Sequence, residues 1–120
     1  MKVEQLIAAR TGSNAYFMSK ALSVEDYDQC VLDILYTQGS STSFQVVIEF
    51  SHDKSNWFRK TKQNVGVTYA ALEDLILYST EDGNKSYEFP IAHKWMRIGM
   101  LVNGTVTGSQ IAAACILEEA

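Results

Sequence analysis

The sequence predicts an all-β fold, an antiparallel β-sandwich of jelly-roll type with seven or eight strands. Three observations predict it. Apolar and polar residues alternate with period two in several runs of strand length, those runs are separated by clusters of Gly, Ser, Asn and Asp, and no run has a sustained helical period. Strands that follow one another without intervening helices exclude a parallel α/β architecture. One domain spanning residues 1–120 is expected, because 120 residues bury roughly two-thirds of the surface their unfolded chain exposes.

In chain order, Val3 to Arg10 reads as a first strand, closed by the turn Thr11-Gly12-Ser13-Asn14. Cys30, Leu32, Ile34 and Tyr36 then alternate with Val31, Asp33 and Leu35. After Gln38-Gly39-Ser40-Ser41 comes the clearest strand, Thr42 to Ser51, with Phe44, Val46, Ile48 and Phe50 on the inward face and Gln45 and Glu49 outward. These two runs are expected to pair as an antiparallel hairpin.

Ser51 to Asn56 forms a further tight connection before Trp57-Phe58 resumes an extended pattern. Tyr69 to Leu77 has both helical and strand features and is assigned as irregular or strand. Leu75 to Tyr78 and Ser86 to Phe89 flank Glu81-Asp82-Gly83-Asn84, in which Asp-Gly favours a hairpin turn, and Pro90 marks a strand end. Trp95 to Val102 and Ile111 to Leu117 are expected to form a closing hairpin about Asn103-Gly104. Both faces of the last run are apolar, Ala112, Ala114 and Ile116 opposing Ile111, Ala113, Cys115 and Leu117, so it is a central or an interface strand.

Composition narrows function. Ten Lys and Arg against fourteen Asp and Glu give a formal charge of −4, which offers no basic field for nucleic acid. Apolar stretches fall far short of the roughly 20 residues of a membrane-spanning helix, and MKVEQLIAAR lacks the core of a secretory signal. Synthesis in a cytoplasm follows, and with it free, buried Cys30 and Cys115 rather than a disulfide.

No catalytic constellation is complete. His52 beside Asp53 supplies neither a closed metal shell nor an oriented nucleophile, and no GxSxG, HExxH, P-loop or GxGxxG accompanies it. His93 is expected at the surface. Neither an enzymatic activity, a cofactor nor a metal is expected, and surface contacts are the remaining means of action. Candidate contact residues fall in two clusters. Glu25, Asp26 and Asp28 form an acidic loop without the EF-hand pattern. Lys54, Arg59, Lys60 and Lys62 surround Trp57 and Phe58, a solvated hairpin face or a docking patch for an acidic partner. Trp57 and Trp95 also suit a sugar-stacking platform, against the ordinary reading of rim packing.

The order of features from Leu22 to Leu117 resembles a family of small bacteriophage structural proteins. The carrying segments are LSVEDYDQCVLDILYTQGSSTSFQVVIEFSHDKSNW, RKTKQ and HKWMRIGMLVNGTVTGSQIAAACIL. Within them a Val-x-x-Tyr lead-in is matched by Val24 to Tyr27, a Gly/Ser/Thr turn by Gln38 to Thr42, and a Ser-x-Asp-x-x-x-Trp turn by Ser51, Asp53 and Trp57. Trp95 with Arg97-Ile98 matches an aromatic-x-Arg strand. This chain departs in having Asp53-Lys54 where the family turn has Asp-Gly, and in the length of Tyr69 to Ser86.

The resemblance implies a virion component made in the host cytoplasm: a capsid decoration or cement protein, or else a minor tail or head-tail connector protein. It implies capsid or tail proteins as partners, and a homo-oligomer on the particle. The same turn is similar to that of discoidin-like sandwiches, which bind sugars or lipids, and this keeps a carbohydrate-binding module as the alternative.

Overall fold

The computed structural model describes residues 1–61 and 74–119, and among these every regular element is a strand. Ten strands form: β1 (Lys2–Arg10), β2 (Phe17–Met18), β3 (Leu22–Ser23), β4 (Gln29–Thr37), β5 (Ser41–Ser51), β6 (Phe58–Arg59), β7 (Ile76–Ser79), β8 (Lys85–Pro90), β9 (Trp95–Gly104) and β10 (Gln110–Glu118). One antiparallel sheet has the order β1-β10-β4-β8. The other runs β2-β9-β5-β6, with β3 also on β9 and β7 also on β5.

The short strands are pieces of two longer ones. β2 and β3 run along the same side of β9, and β6 and β7 along the same side of β5. Taking each pair as one interrupted strand yields eight strands in the sheet orders 1-8-3-6 and 2-7-4-5, the jelly-roll arrangement. In the second pair an antiparallel bridge between Thr61 and Asp74 lies between the two pieces. Of the ambiguous run Tyr69 to Leu77, residues 69–73 lie outside the described residues, while Ile76 and Leu77 open β7.

The inward faces are those the alternation predicts. Phe44, Val46, Ile48 and Phe50 from β5 meet Met96, Ile98, Met100 and Val102 from β9, all buried. Opposite them lie Cys30, Leu32, Ile34 and Tyr36 of β4 and Ile111, Ala113, Cys115 and Leu117 of β10. Aromatic edges tie the two layers together: the Tyr36 and Phe44 ring centroids are 5.0 Å apart and those of Phe50 and Phe89 6.2 Å apart, both edge-to-face. Cys30 and Cys115 are buried free thiols. The Cys30 thiol is pushed far above its ordinary range by its hydrogen bond to Cys115 and by burial, so it stays protonated.

Three expected hairpins are instead crossovers between the sheets. β4 and β5, β7 and β8, and β9 and β10 each lie in different layers. Period-two alternation states only that one face is buried; two such strands satisfy it equally by pairing edge to edge or by facing each other across the core. The crossover turns carry their own signals. Gly39 (φ 55°) and Gly108 (φ 75°) adopt the left-handed conformation and press together, so that a Cβ on Gly39 would lie 2.3 Å from the Gly108 carbonyl carbon. The Gln38 amide donates to the Asp82 carboxylate at 2.7 Å, and the Gly83 amide to the Tyr36 carbonyl at 3.0 Å, joining two crossovers.

Candidate functional site

The Ser51–Asn56 connection returns the chain from β5 to β6 as a hairpin. Asp53 organises it: one carboxylate oxygen accepts the Ser55 and Asn56 amides at 2.9 and 2.8 Å, and the other accepts the Asn56 side-chain amide at 2.8 Å. The amides of Asn56 and Ser55 hold this carboxyl well below the usual carboxylate range. Asp53 is thus a structural acceptor, which removes it as a partner for His52. Lys54 follows in the left-handed region at φ 66°, the conformation for which the Asp-Gly form of the turn supplies a glycine.

This turn delivers Trp57 and Arg59 to the outer face of the second sheet. There Glu49 of β5, 13% exposed at its side chain, accepts from Arg97 Nε of β9 at 2.7 Å and from Arg59 Nε of β6 at 3.4 Å. Arg59 also reaches Asp74 at 3.4 Å. The Arg97 guanidinium lies 4.2 Å from the Trp57 ring centroid, and that of Arg59 5.4 Å from the Tyr16 ring. Lys54 Nζ lies 4.7 Å from the Trp95 ring. Each is a cation–π geometry. The surface is a network rather than a free basic field, because two of its three cations share acids. One face of each tryptophan ring is occupied by a cation, leaving only the other for a stacked ligand.

Phe58 and Lys60 project to the opposite side of β6. With Phe50, Pro90, Ala92 and His93 they line a cleft of about 430 Å³ at the lateral mouth of the sandwich. His93, expected at the surface, instead inserts there. Its ring stacks on Phe50 at 4.9 Å on one side, and on His52 at 4.6 Å. Its Nδ1 is buried without a hydrogen-bond partner. Burial first, then His52 and Lys60, lower the His93 pKa from 6.5. The cause of the misplacement is that the aromatic stack lies between two loops distant in sequence, and alternation does not register such a contact.

The acidic loop borders the other side of His93. Glu25 and Asp28 line a second cleft of about 320 Å³ with Tyr27, His52, Ile91 and Lys94. Glu25 pairs with Lys94 at 3.8 Å, and Asp26 is exposed beside it. The predicted contact residues therefore divide three ways: Lys54, Trp57, Arg59 and Trp95 on the outer face, Phe58 and Lys60 in the lateral cleft, and Glu25, Asp26 and Asp28 on the acidic loop. Lys62 lies outside the described residues. Among the described residues no group of three His, Cys, Asp or Glu side chains is placed to hold a metal ion.

Sequence reasoning overlooked Glu49, Arg97 and Tyr16 as site residues. The signal for the first two was present: both occupy outward positions of the two strongest strands, and opposite charges at such positions favour neighbouring strands. Glu49 and Arg97 are indeed direct register partners.

No known protein family matches the sequence, and no curated protein is significantly similar to it. The fold has a solved counterpart. The crystal structure of the SPBc2 prophage-derived protein YomS superposes with a TM-score of 0.54 over 98% of this chain and 92% of that one, at 14% identity. At that identity the likeness is one of fold.

Proposed function

We propose that this chain is a non-enzymatic structural protein of a bacteriophage particle, in the first place a capsid decoration or cement protein that docks on the lattice of the major capsid protein. The observation that carries this reading is the likeness to a prophage-derived protein along nearly the whole of both chains, which agrees with the order of sequence features from Leu22 to Leu117. The described surface supports it with contact chemistry. Trp57, Trp95, Tyr16, Arg59 and Arg97 converge on one sheet face, and tryptophan, tyrosine and arginine are the residues that dominate binding energy at protein interfaces. The Glu49 network holds both guanidinium groups before a partner arrives, which lowers the ordering cost of binding.

Quantitative mass spectrometry of purified particles from a phage encoding the chain tests the reading. Copies in proportion to the capsid protein are expected; absence from particles overturns the virion role, and a few copies per particle moves it to the tail or connector. If the outer face docks, Arg97→Ala should weaken binding to undecorated capsids by about tenfold or more, the loss typical of truncating an anchoring residue. Undiminished binding would remove this face from the contact.

A further inference from the structure

Of the ten lysines and arginines in the sequence, Lys62 lies outside the described residues, and eight of the other nine are matched. Lys2, Lys20, Arg59, Lys85, Lys94 and Arg97 each meet a carboxylate. Arg10 and Lys54 lie over the rings of Phe17 and Trp95. Among the described residues Lys60 alone has neither kind of partner. It stands at the lateral cleft of about 430 Å³, whose walls are otherwise mostly apolar: Phe50, Phe58, Pro90, Ala92 and the His93 ring. Arg59 also lines it, but its guanidinium is committed to Glu49 and Asp74 at 3.4 Å each. The cleft is largely formed in advance. Phe50, 4% exposed, is fixed by stacking on His93 and by its edge-to-face contact with Phe89. The Lys60 backbone is tied on both sides, its amide donating to the Ile48 carbonyl at 2.8 Å and its carbonyl accepting from the Leu75 amide at 2.9 Å. Phe58, by contrast, is 58% exposed.

We propose that this cleft binds a flat apolar group carrying a carboxylate, with the ring against Phe58 and the anion on the Lys60 ammonium. Volume and lining are those of a small-ligand pocket, apolar and aromatic walls with a few polar groups to fix orientation. The charge of the ligand follows from the unmatched cation. A single ammonium balances a single negative charge, so a carboxylate suits it better than a phosphate, which draws on several donors or a guanidinium fork. The apolar part follows from Phe58, whose exposed ring gains by being covered. A second polar group of this cleft is also unsatisfied within the chain, for the His93 Nδ1 is buried without a hydrogen-bond partner. The same chemistry is offered by a free aromatic acid and by a polypeptide that ends in phenylalanine, and the test separates the two.

The inference stands apart from the virion role, and its test uses the purified full chain alone. In an NMR titration, 3-phenylpropionate should shift the ring signals of Phe58 and His93 and saturate at a Kd of about 0.1–5 mM, the range for a ligand of about a dozen heavy atoms. The uncharged 3-phenylpropan-1-ol should bind about three- to tenfold more weakly, because it cannot use the ammonium. Lys60→Gln should weaken the acid by the same factor and leave the alcohol unchanged, whereas Phe58→Ala should weaken both. Lys54→Gln, which alters the cation on the outer face, should change neither. An acetylated tripeptide ending in phenylalanine that binds more tightly than the free acid assigns the site to a chain terminus; one that binds more weakly assigns it to a free acid. Absence of a saturable shift with both acid and peptide overturns the inference. So does an alcohol that binds as tightly as the acid, acid binding undiminished in Lys60→Gln or in Phe58→Ala, or an equal loss in Lys54→Gln.

Discussion

At the scale of single residues, the most informative side chain is His93. It is half-buried in an aromatic stack, and its environment disfavours the imidazolium: burial removes water, and His52 and Lys60 add positive charge. The sign follows directly. With the folded pKa below the ordinary 6.5, the unfolded chain takes up the proton first, so stability is complete above that value and declines as pH falls through the folded pKa. Denaturant titrations between about pH 7.5 and 5 should show this decline, and His93→Phe, which preserves stacking on Phe50, should flatten it. A slope unchanged in that variant would assign the decline to other groups. Lys54 offers a second test at this scale. Its φ of 66° is costly for a β-branched residue, so Lys54→Val should lose about 1–2 kcal/mol in chemical denaturation. Lys54→Gly should be nearly silent, because relief of backbone strain offsets the greater freedom of glycine in the unfolded chain.

Among elements, β5 has the most predictable energetics. Ile48 is fully buried between the sheets, and Ile48→Ala should cost about 2–5 kcal/mol through lost burial and a residual cavity. Gln45→Ala, on the outer face, should cost little, and equal losses in denaturant titration would mean the strand is turned over. Alternation made β4, β5, β9 and β10 legible with their inward faces, because each has one side in the core and one toward solvent. It left β2 and β3 unseen, since two-residue strands interrupted around Ser19 contain no period to detect. It also left sheet membership unread, for alternation carries no record of which neighbour lies alongside and which lies opposite. The same gap hid the candidate site. Trp57 and Trp95 stood out by residue type, but the Glu49–Arg97 pair between them depends on β5 lying beside β9, a pairing of strands far apart in sequence.

For the whole molecule, the decisive pairing is between the two ends of the described chain. β1 pairs antiparallel with β10, placing Lys2 opposite Leu117 and Arg10 opposite Ile111. This contact closes the first sheet on a side where β10 would otherwise offer a long edge of unpaired amides and carbonyls. It also buries Leu6 and Ile7, at about 1.5–3 kcal/mol each, before the ladder hydrogen bonds are counted. A domain of this size is stable by only about 5–15 kcal/mol in total, so the strand accounts for a large share of it. A chain lacking residues 1–10 is therefore expected to lose cooperative thermal unfolding by circular dichroism, and to aggregate through the exposed edge. The milder Ile7→Ala should remain folded and cost about 2–5 kcal/mol. A truncated chain that still unfolds cooperatively as a soluble monomer would show that β4, β8 and β10 form a self-sufficient layer, and that β1 serves as a cover. Because that pairing must wait for segments as far apart in sequence as Arg10 and Ile111 to meet, folding should be slow for a domain of this size, on the order of milliseconds to seconds in stopped-flow refolding. Ile7→Ala should then accelerate unfolding more than it slows folding, as expected for a contact made late.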